Sequence, residues 1–324
     1  MSKLIIPTEN IQFSKLRGEH LKDLLLDIKD YYLTYRDTLN LSSDETFILK
    51  LGYEGIKTSI INNFLVNSKW TLSNDDKLAV GGLIISPELT DNHQTWINLK
   101  KICEFLNKEK SLTSFNAHGY IEINKGILGN NLNLWLLFLN LYAYYEHVLY
   151  RFGYGDKINN KSSHPIACLL YKDILSKKYE SLEELFLSLK KIDKTKAINL
   201  EDKIEFRFFN ATNEYIIWQN NINAIIKMLI KIKRKEIDFN ILKEYSFYKE
   251  NYYKEIDLQS VLEFIDIIFD NNLDKIYFLR QYLKDYRSGI GLKKTISSST
   301  FIKKKWYIKK LEKNISNKYN NIRE

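Results

Sequence analysis

The chain has 324 residues, 44% of them hydrophobic and 14% aromatic, enough for a large buried core and too many for a minimal domain. Its two cysteines, Cys103 and Cys168, cannot supply a disulfide framework or a four-ligand zinc site, and are expected to be reduced packing residues. Of the net charge of +9, residues 293–324 carry eight units, ten basic residues against two acidic, so residues 1–292 are electrically ordinary.

The N-terminal stretch MSKLIIPTENIQF turns polar after a short apolar start and lacks the core of a secretory signal. Leu21, Leu24, Leu25, Ile28, Tyr32 and Tyr35 recur at helical spacing and predict a helix over 21–35. An SSDE loop at 42–45 leads to a strand over 47–53, and another strand is expected over 77–86, closed by Pro87. Trp96, Leu99, Ile102, Cys103 and Leu106 make one face of a helix over 95–106. Residues 119–123 alternate as a strand does.

The most apolar segment, 132–150, lies in a helix expected over 132–151 and approaches the roughly 20 residues needed to span a bilayer. It also carries Asn133, Asn140, Glu146 and His147, so it reads as a buried helix, and the protein is expected in the cytoplasm with no membrane span. Gly153 and Gly155 punctuate its end. A helix is expected over 166–178, and Ser181 with Glu184 has capping-box spacing ahead of a helix through Leu189.

Residues 204–208 form the clearest strand, with Ile204, Phe206 and Phe208 on one face and Glu205, Arg207 and Phe209 on the other. The turn NATN at 210–213 opens a helix over 215–233. Helices are then expected over 240–247, 257–269, 273–286 and 301–311. The organisation is an α+β domain over 1–235, a helical extension over 236–292 and a basic helical tail over 293–324.

Three ordered blocks carry a family resemblance. The sequence EFRFFNATNEYIIWQNNIN (205–223) supplies Glu205, Arg207, Asn210, Thr212, Trp218, Gln219, Asn220 and Asn221. GGLIISPELTD (81–91) and YEHVLYRFGYG (145–155) agree in order. The chain thereby resembles the amidoligase-like proteins, a branch of the glutamine-synthetase-like carboxylate–amine ligases. That resemblance implies an α+β fold: a curved antiparallel sheet of glutamine-synthetase-like type with helices on one side, here followed by an all-helical C-terminal region. It implies ATP and Mg²⁺ as cofactors, and a carboxylate and an amine, small-molecule or peptide, joined through an acyl phosphate.

Such chemistry needs carboxylates to hold Mg²⁺ and an arginine to neutralise the transferring phosphoryl group. By resemblance Glu54 and Arg207 are the catalytic candidates and Asn210 and Glu205 the substrate-binding ones; Glu122, which shares a strand face with Tyr120, is a candidate to partner Glu54 as ligands of a rebuilt metal centre. The chain also departs from the family pattern. Where the first strand of the family has paired carboxylates, KLGYEGIKT (50–58) keeps only Glu54. Leu83 replaces a glutamate, and Tyr120 and Glu122 replace two histidines. Several lost ligands together predict reduced or lost activity, making the chain a candidate pseudoenzyme.

Other readings stand beside these. Arg207 is as well read as a cross-strand ion-pair partner. Glu146 and Arg151 suit a fixed ion pair or a helix cap, and Trp218–Asn223 suits helix packing. The histidines show no metal-ligand spacing, and His118 is expected in a loop. The tail FIKKKWYIKKL (301–311) mixes lysines with aromatics, which suits a docked solvated helix, nucleic-acid backbone binding or, third, a basic amphipathic helix on a membrane surface.

Overall fold

A computed structural model describes residues 6–7, 9–41, 44–75, 78, 80–113, 117–154, 163–192, 197–237 and 257–283. The strands are β1 (Phe47–Glu54), β2 (Thr71–Asn74), β3 (Gly81–Ile85), β4 (His118–Ile123), β5 (Ile198–Asn199) and β6 (Ile204–Asn210). They form one antiparallel sheet in the order β2-β3-β1-β4-β6-β5. The helices are α1 (Gly18–Asp30), α2 (Thr58–Leu65), α3 (His93–Lys108), α4 (Leu132–Tyr154), α5 (Ala167–Leu169, continued by a π-helical turn over Leu170–Leu175), α6 (Leu182–Lys190), α7 (Tyr215–Lys233), α8 (Leu258–Ile268) and α9 (Asn272–Tyr282). Among the described residues the molecule is a mixed α+β structure, and no helix is long and apolar enough to cross a membrane.

Alternation along the strands separates two faces. Leu49 and Leu51 of β1, Ile121 and Ile123 of β4, and Ile204 and Phe206 of β6 are fully buried and join the main core. Phe47 stacks on Trp96 of α3 at 5.7 Å between ring centroids, and Phe138 of α4 meets Phe206 edge-on at 6.1 Å. Trp218 of α7 lies so close over Gly119 that any β-carbon there would strike its ring. These apolar residues bring α3, α4 and α7 onto the same side of the sheet.

Helices α8 and α9 belong to that core as well. Phe152 of α4 stacks on Phe278 of α9 at 4.0 Å, and Tyr145 lies 5.0 Å from Phe264 of α8. The boundary expected at 235/236 therefore divides the sequence without dividing the core.

Four local readings change. Helix α1 stops at Asp30. The chain then runs on without regular structure over residues 31–41, its backbone partners supplied by side chains of distant elements: Thr34 N by the Tyr277 hydroxyl, Arg36 N by Gln219, Leu39 N and Leu41 N by Asp91. Helical spacing in Tyr32 and Tyr35 is thus overruled by tertiary hydrogen bonding. Strand β3 begins only at Gly81, while α2, β2 and β5 were not anticipated. A register shift between β4 and β6 gives β6 one extra residue opposite Gly119–Ile121. Its consequence is that Phe209 lies beside Gly119 on the helix-facing side, fully buried, and not with Glu205 and Arg207. The fourth concerns His118, which opens β4 and is buried. The helices expected over 240–247 and 301–311, and the basic tail, lie outside the described residues.

Candidate functional site on the polar face of the sheet

The second face of the sheet carries the chain's candidate site residues. In β1 it presents Ile48, Lys50, Gly52 and Glu54; in β4, His118, Tyr120 and Glu122; in β6, Glu205 and Arg207. The register sets Glu122 directly opposite Glu205 on the neighbouring strand, and Lys50 opposite Tyr120 on β4.

Two carboxylates facing each other across a strand pair repel unless cations intervene. Three do. The Lys50 ammonium reaches Oε1 of Glu122 and lies 2.9 Å from Oε1 of Glu205. Arg207 donates from Nε to Oε2 of Glu205 at 2.6 Å and pairs with the same oxygen through Nη2. Lys203 lies 3.5 Å from Oε2 of Glu122. All four carboxylate oxygens are thereby taken.

The network is mostly buried, and its electrostatics follow. Burial alone would raise the Glu205 carboxyl, but Lys50 and Arg207 outweigh it and hold the group below the usual glutamate value. Burial likewise opposes the charged form of Lys50, and Glu205 and Glu122 overcome it, leaving its ammonium harder to deprotonate than usual. The Tyr120 phenol is pushed up to about 12 by burial and by Asp75 and Glu205, against the pull of Arg207. It is a hydrogen-bond donor at neutral pH and not a base.

Glu54 stands apart. It closes β1 opposite Gly81 and bridges to Leu112, whose N–H donates to the Glu54 carbonyl at 2.9 Å. Its Oε2 is buried without a hydrogen-bond partner among the described residues. Glu122 sits opposite Ile48, six positions back along β1, which places the α-carbons of the two residues about 20 Å apart along the strand. Glu54 and Glu122, expected to share a metal, are therefore not brought together. The described residues contain no group of three or more His, Cys, Asp or Glu side chains placed to hold an ion.

Of the remaining candidates, Glu205 and Arg207 are brought together, as a salt-bridged pair. Asn210 lies opposite His118 at the far end of β6 and is nine-tenths buried. The WQNN stretch turns away from the sheet's polar face. Trp218 Nε1 donates to the Thr212 carbonyl at 2.9 Å, and Gln219 bonds the Arg36 backbone. Asn220 donates to the Tyr277 carbonyl at 2.9 Å and to Gln281, which in turn donates to Asn221. Asn223 donates to Asp274 at 2.8 Å. These amides fasten α7 to α9 and to the strap of residues 31–41.

Lys50 and Lys203 were not anticipated as site residues. The signal for Lys50 was present, since it shares a strand face with Glu54, but its partners Glu122 and Glu205 lie on two other strands.

No family model matches the chain, and no curated protein matches it.

Proposed function

We propose that the chain is an amidoligase-like protein, built on a curved sheet of the glutamine-synthetase-like type, whose ATP- and Mg²⁺-dependent joining of a carboxylate to an amine is reduced or lost. One observation carries this reading. The polar face carries Glu122, Glu205 and Arg207, yet their charges are neutralised among themselves and by Lys50 and Lys203, and Glu54 is remote from the two glutamates along the sheet. Mg²⁺ bound between phosphates and protein needs free carboxylate oxygens, and an arginine stabilising a phosphoryl group needs free N–H donors. Neither Glu122 nor Glu205 can offer an oxygen to Mg²⁺ without first giving up one of its cations, and the Arg207 guanidinium is already turned onto Glu205.

Calorimetric titration of the intact protein with Mg-ATP tests the proposal. The expected result is no saturable binding below about millimolar nucleotide and no ADP release with added carboxylates and amines. Tight binding with turnover that Arg207→Ala abolishes would establish an active ligase instead.

The charge distribution favours a second reading, an inactive interaction or regulatory protein that reaches nucleic acid through residues 293–324. Ten basic residues against two acidic ones, interleaved with Phe301, Trp306 and Tyr307, match the chemistry of phosphate contact with base stacking. Salt-dependent retention on single-stranded DNA or RNA, lost on truncation after residue 292, is the expected outcome. Equal retention of the two forms sinks it.

A further inference from the structure

We infer that Lys50 is a tethered counter-ion, its ammonium filling a seat between Glu122 and Glu205 that a divalent cation would otherwise take. The inference deepens the reading of the polar face given above, on which it rests, by naming the device that silences it.

The geometry is specific. Glu122 and Glu205 are cross-strand partners, so their carboxylates emerge side by side from adjacent strands. Each turns one oxygen outward, Glu122 Oε2 to Lys203 and Glu205 Oε2 to Arg207. Each turns the other, Oε1, to the same point, and that point is the Lys50 nitrogen. Two oxygens sharing one ammonium at charge-assisted hydrogen-bond distance lie no more than about 5.6 Å apart. A hard divalent cation takes carboxylate oxygens at about 2.0–2.6 Å, and so spans about 4–5 Å between two of them. Small side-chain rotations close that difference.

Lys50 reaches the seat from a third strand. It leaves β1 opposite Tyr120, and its stem runs back along the face towards the row of Ile48, Glu122 and Glu205. An ammonium on a flexible four-carbon stem is a compact point charge suited to that substitution. Because it is covalently attached, its effective concentration at the seat is on the order of millimolar or higher with no ion drawn from solution. The polar face is therefore occupied by the chain's own charge.

Mn²⁺ is the probe, followed by loss of the free-ion signal in electron paramagnetic resonance. Wild-type protein is expected to take up no Mn²⁺ at this site. Lys50→Met, which keeps the stem and removes the charge, is expected to bind one ion with a dissociation constant of about 0.1–1 mM. Lys50→Met with Glu122→Gln is expected to weaken that binding about tenfold or more. A folded Lys50→Met protein that binds no more Mn²⁺ than wild type overturns the inference, as does binding that survives in the double variant. Should Lys50→Met unfold at assay temperature, melts with and without millimolar Mn²⁺ decide. Stabilisation by the ion, absent in wild type, supports the inference, and identical melts overturn it. Nucleotide binding by wild type, the test of the proposed function, is read independently of all these variants.

Discussion

Gln219 holds the backbone of Arg36 by both ends of its amide: Nε2 donates to the Arg36 carbonyl at 2.6 Å, and Oε1 accepts from the Arg36 N–H at 3.2 Å. The side chain thus does for residues 31–41 what a neighbouring strand would do. Gln219→Leu fills similar space and removes both bonds, leaving the Arg36 N–H and carbonyl short of partners. Each such group costs about 1–3 kcal/mol when buried, so a loss of about 2–4 kcal/mol in urea unfolding is expected. Gln219→Glu keeps the acceptor but sets a buried carboxylate oxygen against the Arg36 carbonyl, and should destabilise at least as much as Gln219→Leu.

The same reasoning applies to Glu146, fully buried in the middle of α4. Its two oxygens accept from Ile166 N at 2.7 Å and Ala167 N at 2.8 Å, capping the helical segment that follows. Two backbone donors on one carboxylate leave no place for an amide hydrogen at either oxygen. Glu146→Gln should therefore destabilise by about 2–3 kcal/mol despite its near-identical shape. Hydrogen exchange at Ile166 and Ala167 should quicken in step, and unchanged exchange there would contradict the cap.

Much of the fold was legible because burial writes itself into periodicity. The core face of α3, the existence of α4 and α7 and the strands β1, β4 and β6 follow from local pattern alone. What stayed hidden depends on partners distant in sequence. Nothing local shows that Thr34 N will meet Tyr277 or that Leu39 N will meet Asp91. Phe209 was misplaced because a strand's alternation fails at a bulge, and the extra residue exists only relative to β4. For the site, Glu205 and Arg207 were visible as a pair on one strand face. Lys50 escaped because its role appears only once β1, β4 and β6 stand side by side.

Gly52 illustrates a constraint of the same non-local kind. A β-carbon there would collide with the backbone carbonyl of His118, where β4 begins its run beside β1. Because the obstacle is main chain, it cannot rotate aside, and the strand must move. Gly52→Ala is expected to destabilise by about 1–3 kcal/mol and to disturb the end of the polar face nearest His118. A variant that melts with wild type would show that β4 gives way freely.

The pH dependence of the Glu205 network has a determined sign. Burial acts to raise this carboxyl, but Lys50 and Arg207 hold it below its unfolded value. A depressed carboxyl contributes stability that is present above the unfolded value, about 4.3, and is lost as pH falls through the folded one. Lys50 behaves oppositely: its raised ammonium contributes fully below about 10.4 and fails only at higher pH. Between those limits the pairing is at full strength. Glu205→Gln leaves Lys50 and Arg207 each short of a partner, and breaking a largely buried pair from one side costs about 3–5 kcal/mol. That gap between wild type and variant should be constant from about pH 6 to 9 and should shrink as urea midpoints are measured towards pH 3. A gap that stays constant into acid would mean that Glu205 is not held ionised by its neighbours, and the charge pairing of the polar face would have to be redrawn.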